Sequence, residues 1–91
     1  MCVLLELPSA LARYAGGKKS LTVSGDTVHA LVAALFQDYP QLRIRMLDKN
    51  NQLYPYLILI KNNLRLSPQD LGNIPLKDGD TLEVMTLAGG G

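Results

Sequence analysis

The residues best suited to chemistry stand at the end of the sequence: Leu87, Ala88, Gly89, Gly90 and Gly91. Three consecutive glycines pack no core, cap no helix and hold no strand, and glycine loses more conformational freedom on ordering than any other residue. Their physical use is steric. A backbone without Cβ atoms, ending in a carboxylate, threads a channel too narrow for any side chain. The pattern predicts a folded body, residues 1–86, that holds out a bare carboxylate on a tail, residues 87–91, for another protein to use. Chain ends commonly fray, so the weight of this reading rests on what precedes the tail.

Other chemical signals are weaker. His29 is the sole imidazole and Cys2, far away in sequence, the sole thiol, too few to complete a metal site, so no metal is expected and a solvated side chain is. Ser24, Asp26 and His29 carry the letters of a catalytic triad, but so short a span across a helix start cannot supply its geometry, and capping explains these residues better. Gly17-Lys18 looks like the end of a phosphate-binding loop. Ala12 stands where the earlier glycine is required, Lys19 follows the lysine, and a strand comes where a helix is needed. Cys2 lies in an apolar run with no base nearby, which favours a small packed side chain over a nucleophile.

Composition narrows the classes further. Ninety-one residues make one domain, which buries roughly 60 to 65% of its unfolded surface and is too small for lobes around a deep cleft. An enzyme is not expected. With 47% hydrophobic and 19% charged residues the chain is not a disordered one, and a formal charge of +1 creates no broad field for nucleic acid or anionic lipid. Neither is an expected partner. The single cysteine cannot form an internal disulfide, and no apolar stretch reaches the roughly 18 residues of a membrane span. A soluble, cytoplasmic protein is the expectation.

The elements that position the tail follow from patterning. Cys2 to Leu7 reads as a strand stopped by Pro8. A brief helical stretch around Ala10 to Tyr14 ends at Gly16-Gly17, and Ser20 to Ser24 alternates as a second strand, antiparallel to the first. Asp26 or Thr27 caps a helix on which Val28, Leu31, Val32, Leu35, Phe36 and Tyr39 form one apolar stripe, and Pro40 stops it. Gln41 to Gln52 reads as an irregular connection closing in a turn at Asp48 to Asn51; its basic cluster, Arg43, Arg45 and Lys49, is expected to be a solvated surface, with docking against an acidic partner as the alternative. Tyr56 to Ile60 is apolar at every position, as in a central strand. Asn62-Asn63 reverses the chain into an edge strand at Leu64 to Leu66, and Ser67-Pro68 starts one helical turn that Gly72 ends. Asp78-Gly79-Asp80 turns into the last strand, Thr81 to Thr86. One main helix across one face of a mixed sheet of four to five strands, with the first and last strands parallel at its centre, is an α+β arrangement in β-grasp order.

The chain resembles the ubiquitin-like sulfur carriers, the ThiS/MoaD family of the thiamine sulfur carrier and the small subunit of molybdopterin synthase. The resemblance spans essentially the whole chain. It is carried by Gly16-Gly17-Lys18-Lys19-Ser20, Ser24-Gly25-Asp26-Thr27, Ile58 to Asn63, Leu76-Lys77-Asp78-Gly79-Asp80 and Ala88-Gly89-Gly90. Length and the Gly-Gly-Lys-Lys-Ser turn are most similar to the type that donates sulfur for cysteine synthesis. The family ends in two glycines and this chain in three, so the reactive carboxylate is that of Gly91, or of Gly90 after trimming.

The resemblance implies that an E1-like adenylating enzyme uses ATP to activate this carboxylate. A sulfur donor, persulfide or sulfide, then displaces AMP and leaves a thiocarboxylate, which a downstream synthase consumes. A metallopeptidase that trims or releases the tail is a further implied partner. The carrier itself binds no cofactor, and supply to the molybdopterin, thiamine or siderophore routes stays open beside cysteine and methionine. So does another class altogether, a ubiquitin-like interaction or conjugation module.

Strand parity adds a docking surface. If the helix covers Leu57 and Leu59, then Ile58 and Ile60 face the other way, joined by Met85 and Leu87 beside the tail root, with Lys61 and Arg65 as a polar rim.

Overall fold

Four of the five described strands alternate more buried with more exposed side chains, and their buried series converge on one face; the shortest strand exposes both of its residues. The computed structural model describes residues 2–66 and 74–86. Strand β1 (Cys2–Glu6) buries Val3 and Leu5. Strand β2 (Ser20–Ser24) runs antiparallel to it, pairing Val3 with Val23 and Leu5 with Leu21. Strand β3 (Leu57–Lys61) buries Leu57 and Leu59, β4 (Leu64–Arg65) is a short strand, and β5 (Thr81–Thr86) buries Leu82 and Val84. The sheet order is β2-β1-β5-β3-β4, with β1 and β5 parallel and the other pairs antiparallel. This is the mixed five-stranded sheet of a β-grasp fold, with its first and last strands adjacent at the centre as the patterning predicts.

Among the described residues, three helices cover the inner face. Helix α1 (Ser9–Ala12) is a single turn after Pro8 and buries Leu11 and Ala12. Helix α2 (Val28–Asp38) buries Val28, Leu31 and Leu35, while Val32, Phe36 and Tyr39 pack against the same core. Its cap is Thr27, whose hydroxyl accepts from the Ala30 amide at 3.1 Å. Gly25 lies so close to the start of α2 that a Cβ there would sit 2.6 Å from the Leu31 nitrogen. No other residue fits without a shift.

Two sequence expectations are corrected. Residues 40–46 form a helix, α3 (Pro40–Met46), where an irregular connection was expected. Pro40 ends α2 and also begins α3, because a proline in the first turn lacks only a hydrogen that would have no acceptor there. Leu42 and Met46, one helical turn apart, close the core against α2. Cys2 is exposed rather than packed, since alternation turns Val3 and Leu5 inward and sends Cys2 and Leu4 to the outer face. The helical turn expected at Ser67 to Gly72 falls outside the described residues. No helix among those described is long and apolar enough to cross a membrane.

Candidate functional site at the root of the tail

The candidate reactive residues, Leu87, Ala88, Gly89, Gly90 and Gly91, lie outside the described residues. The strand they continue is described completely. β5 is hydrogen-bonded on both sides, in parallel to β1 through Leu4 to Glu6 and antiparallel to β3 through Leu57 to Lys61. Its last residue, Thr86, pairs with Leu57. The root of the tail is therefore the end of a strand paired on both sides at Leu82 and Glu83 and held by β3 from Val84 to Thr86.

The start of β5 is fixed by a polar lock. The Asn62 side-chain amide donates to Asp80 Oδ1 at 3.0 Å, and the Lys77 amide donates to Asp80 Oδ2 at 2.8 Å. Asn62 Oδ1 in turn accepts from the Thr81 amide at 2.9 Å, and the Asn62 amide donates to the Thr81 carbonyl at 2.9 Å. The Asn62 hydrogen bond, then the Lys77 amide and the nearby ammonium of Lys61, hold the Asp80 carboxyl below the usual carboxylate range against the opposing effect of burial. Asn62 and Asn63 both adopt positive φ, 49° and 71°, which the chain reversal requires and asparagine tolerates.

On the outer face, Ile58 and Met85 are direct cross-strand partners, and Ile60 pairs with Glu83 on one side and Arg65 on the other. The isoleucines are half-buried and Met85 is 39% exposed. Ile58, Ile60, Met85 and Arg65 thus share one face beside the tail root. Lys61 does not. Alternation places it with Leu57 and Leu59 on the helix side, where its Nζ lies 3.9 Å from Asp80 Oδ2. The polar rim read from sequence keeps its geometry for Arg65 alone.

Sequence reasoning singled out Arg45 within a basic cluster but did not foresee the groove it joins on the other side of the root. There Tyr14, Tyr56, Leu57 and Thr86 line a groove of about 300 Å³ with Arg13 and Arg45. The Arg45 guanidinium lies 4.6 Å and that of Arg13 6.0 Å from the centre of the Tyr14 ring. Tyr56 is fixed by stacking on Tyr54, with ring centres 5.2 Å apart. Residues so far apart in the chain carry no local signature; only the unexpected α3 brings Arg45 here. Among the described residues no three His, Cys, Asp or Glu side chains gather to hold a metal.

Comparison with known proteins agrees with this architecture. The ThiS family matches residues 5–91. The sulfur carrier protein CysO of Mycobacterium tuberculosis is 26% identical over 93 aligned positions, covering all of both chains. Among solved structures, Amycolatopsis orientalis CysO, determined in a BexX/CysO complex, is similar at a TM-score of 0.84 and 26% identity, over 98% of this chain and 99% of the other. SAMP1 of Haloferax volcanii is similar at 0.83 and 26%, over 100% of both. With a doubly paired strand leading into a glycine terminus and a family match running through residue 91, the chain belongs to the ThiS family of ubiquitin-like sulfur carriers.

Proposed function

We propose that this protein carries sulfur as a thiocarboxylate on its C-terminal glycine and donates it in biosynthesis of the cysteine type. The observation that carries the reading is the continuation of the central strand β5 into Leu87-Ala88-Gly89-Gly90-Gly91 in a chain whose ThiS match extends to residue 91. Similarity to CysO over both full lengths supports the cysteine type over the thiamine and molybdopterin types.

A carboxylate at neutral pH is a poor electrophile. An E1-like adenylating enzyme joins it to the α-phosphorus of ATP, releasing pyrophosphate and leaving an acyl-adenylate. Hydrosulfide then expels AMP to give the thiocarboxylate directly. A persulfide expels AMP to give an acyl disulfide, which a thiol reduces to the same product while itself becoming a disulfide. The terminal sulfur is ionised near neutrality and is a soft nucleophile on a body that the receiving synthase recognises. The fold contributes recognition and the tail contributes reach; holding the tail in the partner's site supplies the orientation that makes transfer effectively intramolecular. ATP is thus the activating partner's substrate, and dependence on ATP together with a free thiol at Cys2 suits a cytoplasmic setting.

Gly91 is the reacting residue, or Gly90 if a metallopeptidase removes one glycine. The outer-face patch of Ile58, Ile60 and Met85, with Arg65 at its edge and Leu87 following it, is the surface offered to the activating enzyme. Incubation of the full chain with its adenylating enzyme, ATP and a sulfur source tests the reading by intact mass. One terminal oxygen should be replaced by sulfur, and failure of that exchange with every cognate activating enzyme rejects the proposal.

Similarity to a small archaeal modifier protein, SAMP1, favours one second reading, in which the activated carboxylate forms an amide with lysines of other proteins. Denaturing gels separate the two, since amide-linked ladders resist reducing agents and thiocarboxylates leave none.

A further inference from the structure

The tail root is flanked by two surfaces of opposite character, one on each face of the sheet. The outer face is apolar around Ile58 and Met85, while the helix side carries two guanidiniums above one tyrosine. Among the described residues neither Arg13 nor Arg45 makes an ion pair, although Lys61 pairs with Asp80. Gathering two positive charges on one ring without a carboxylate is unfavourable by itself, and a guanidinium already stacked on an aromatic face loses little freedom when it takes a carboxylate bidentately. Thr86 lines the same groove, so whatever occupies it stands directly beside the start of the tail.

We infer that the groove of Arg13, Tyr14, Arg45 and Tyr56 receives an acidic loop, bearing aspartate or glutamate, of the enzyme that adenylates the tail. The inference rests on the carrier reading and adds a second foothold to it. A partner gripping the apolar face alone would leave the tail free to swing about β5; contacts on both faces of the sheet fix the direction in which residues 87–91 enter the partner's site. Charge complementarity selects the occupant, because an apolar or basic segment would leave both guanidiniums desolvated without a counter-charge.

The test is ATP–pyrophosphate exchange by the cognate adenylating enzyme, with the full-length chain as substrate. Relative to wild type, R13E/R45E should lower kcat/KM about tenfold or more, chiefly through KM, and should flatten its dependence on salt. R43E/K49E changes net charge equally, from the same helix and the turn after it, and should stay within about twofold of wild type. R13K/R45K keeps both charges and should retain the salt dependence while losing part of the rate. If R13E/R45E does not fold, the Lys variant and the salt dependence of wild type still decide, since a wild-type rate indifferent to salt overturns the inference.

Loss of exchange equal in R43E/K49E and R13E/R45E would also overturn it, by showing an effect of net charge. Faster exchange in R13E/R45E would overturn it in favour of the chain's own terminal carboxylate as the occupant. Exchange with wild type that R13E/R45E leaves unchanged defeats this inference alone, whereas absence of exchange with wild type defeats the carrier reading and the inference together.

Discussion

The Asn62 side-chain amide donates to Asp80 Oδ1 at 3.0 Å and, through its own oxygen, accepts from the amide of Thr81, so one asparagine joins the end of β3 to the start of β5. The two residues stand eighteen apart in sequence, and the bond between them determines where the tail-bearing strand begins. Because these contacts favour the ionised carboxyl, they connect the position of β5 to pH.

The sign follows from the direction of the shift. The folded Asp80 carboxyl titrates below its unfolded value of about 3.9. Its stabilising contribution is complete above that value, where both states are ionised, and is lost as pH falls through the depressed folded value, because the unfolded chain takes up the proton first. Asp80→Asn should lower the thermal midpoint at neutral pH, since an amide nitrogen cannot accept from the Lys77 amide. The gap between variant and wild type should narrow by about pH 3. Melting curves across pH check this; a gap of constant size from neutral to acid would show that ionisation of Asp80 plays no part.

Close approach at Gly25 gives a second expectation. A Cβ there would lie 2.6 and 2.7 Å from the nitrogen and Cα of Leu31, which are backbone atoms of α2 and cannot rotate away. Gly25→Ala should therefore destabilise by about 1–3 kcal/mol through displacement of the helix start. Urea denaturation measures it, and a change below about 0.5 kcal/mol would mean that the β2–α2 connection yields freely.

The helix that patterning missed is where the core is most sensitive. Leu42 is fully buried between α3 and the remaining core, so Leu42→Ala should cost about 2–5 kcal/mol, a large part of a small domain's stability of about 5–15 kcal/mol. Ile44, on the same helix, is 61% exposed, and Ile44→Ala should stay within about 0.5 kcal/mol. Equal losses at both positions in chemical denaturation would contradict the packing of α3.

Which parts of this structure were legible in the sequence follows from the range of the interactions that decide them. Alternation along Thr81 to Thr86 and the stripe Val28, Leu31, Leu35 are local patterns created by burial, and they gave the strands and the main helix. In 40–46 the residues Leu42, Ile44 and Met46 alternate with Gln41, Arg43 and Arg45, so the segment lacks a clean helical period. Tertiary packing then selected the helix by burying Leu42 and Met46 and leaving Ile44 out. Parity located Ile58, Ile60 and Met85 on one face because a strand repeats every two residues. The same rule, applied one residue further, puts Lys61 on the opposite face with Asp80. The arginine groove was illegible because Arg13 and Arg45 meet only once α3 has formed.

The outer-face patch yields a prediction that separates docking from folding. Met85 is exposed at the sheet surface opposite Ile58, so Met85→Asp removes no core contact. It should leave the thermal midpoint within about 2 °C of wild type, as a surface change of a few tenths of a kcal/mol would. Binding to the adenylating enzyme should weaken at least tenfold, since a charge placed at the centre of an apolar contact is desolvated without a partner. Isothermal titration with the cognate enzyme reads the affinity, and unchanged binding would move the docking surface elsewhere.

The tail itself supplies the most direct expectation. If the terminal glycines are there because the partner's channel admits main chain and little else, Gly90→Val should suppress adenylation while leaving the fold untouched. A β-branched side chain both widens the chain and restricts its backbone, displacing the carboxylate from the α-phosphorus of ATP. A misplacement of about 1 Å in such a site is sufficient for a hundredfold loss of rate. Gly90→Ala, with a single methyl group, should fall between Val and wild type. Pyrophosphate release and intact mass after reaction with a sulfur source follow the two steps separately. Wild-type rates of adenylation and sulfur gain in Gly90→Val would remove the steric basis for the glycines, and with it the reading of residues 87–91 as the reactive tail.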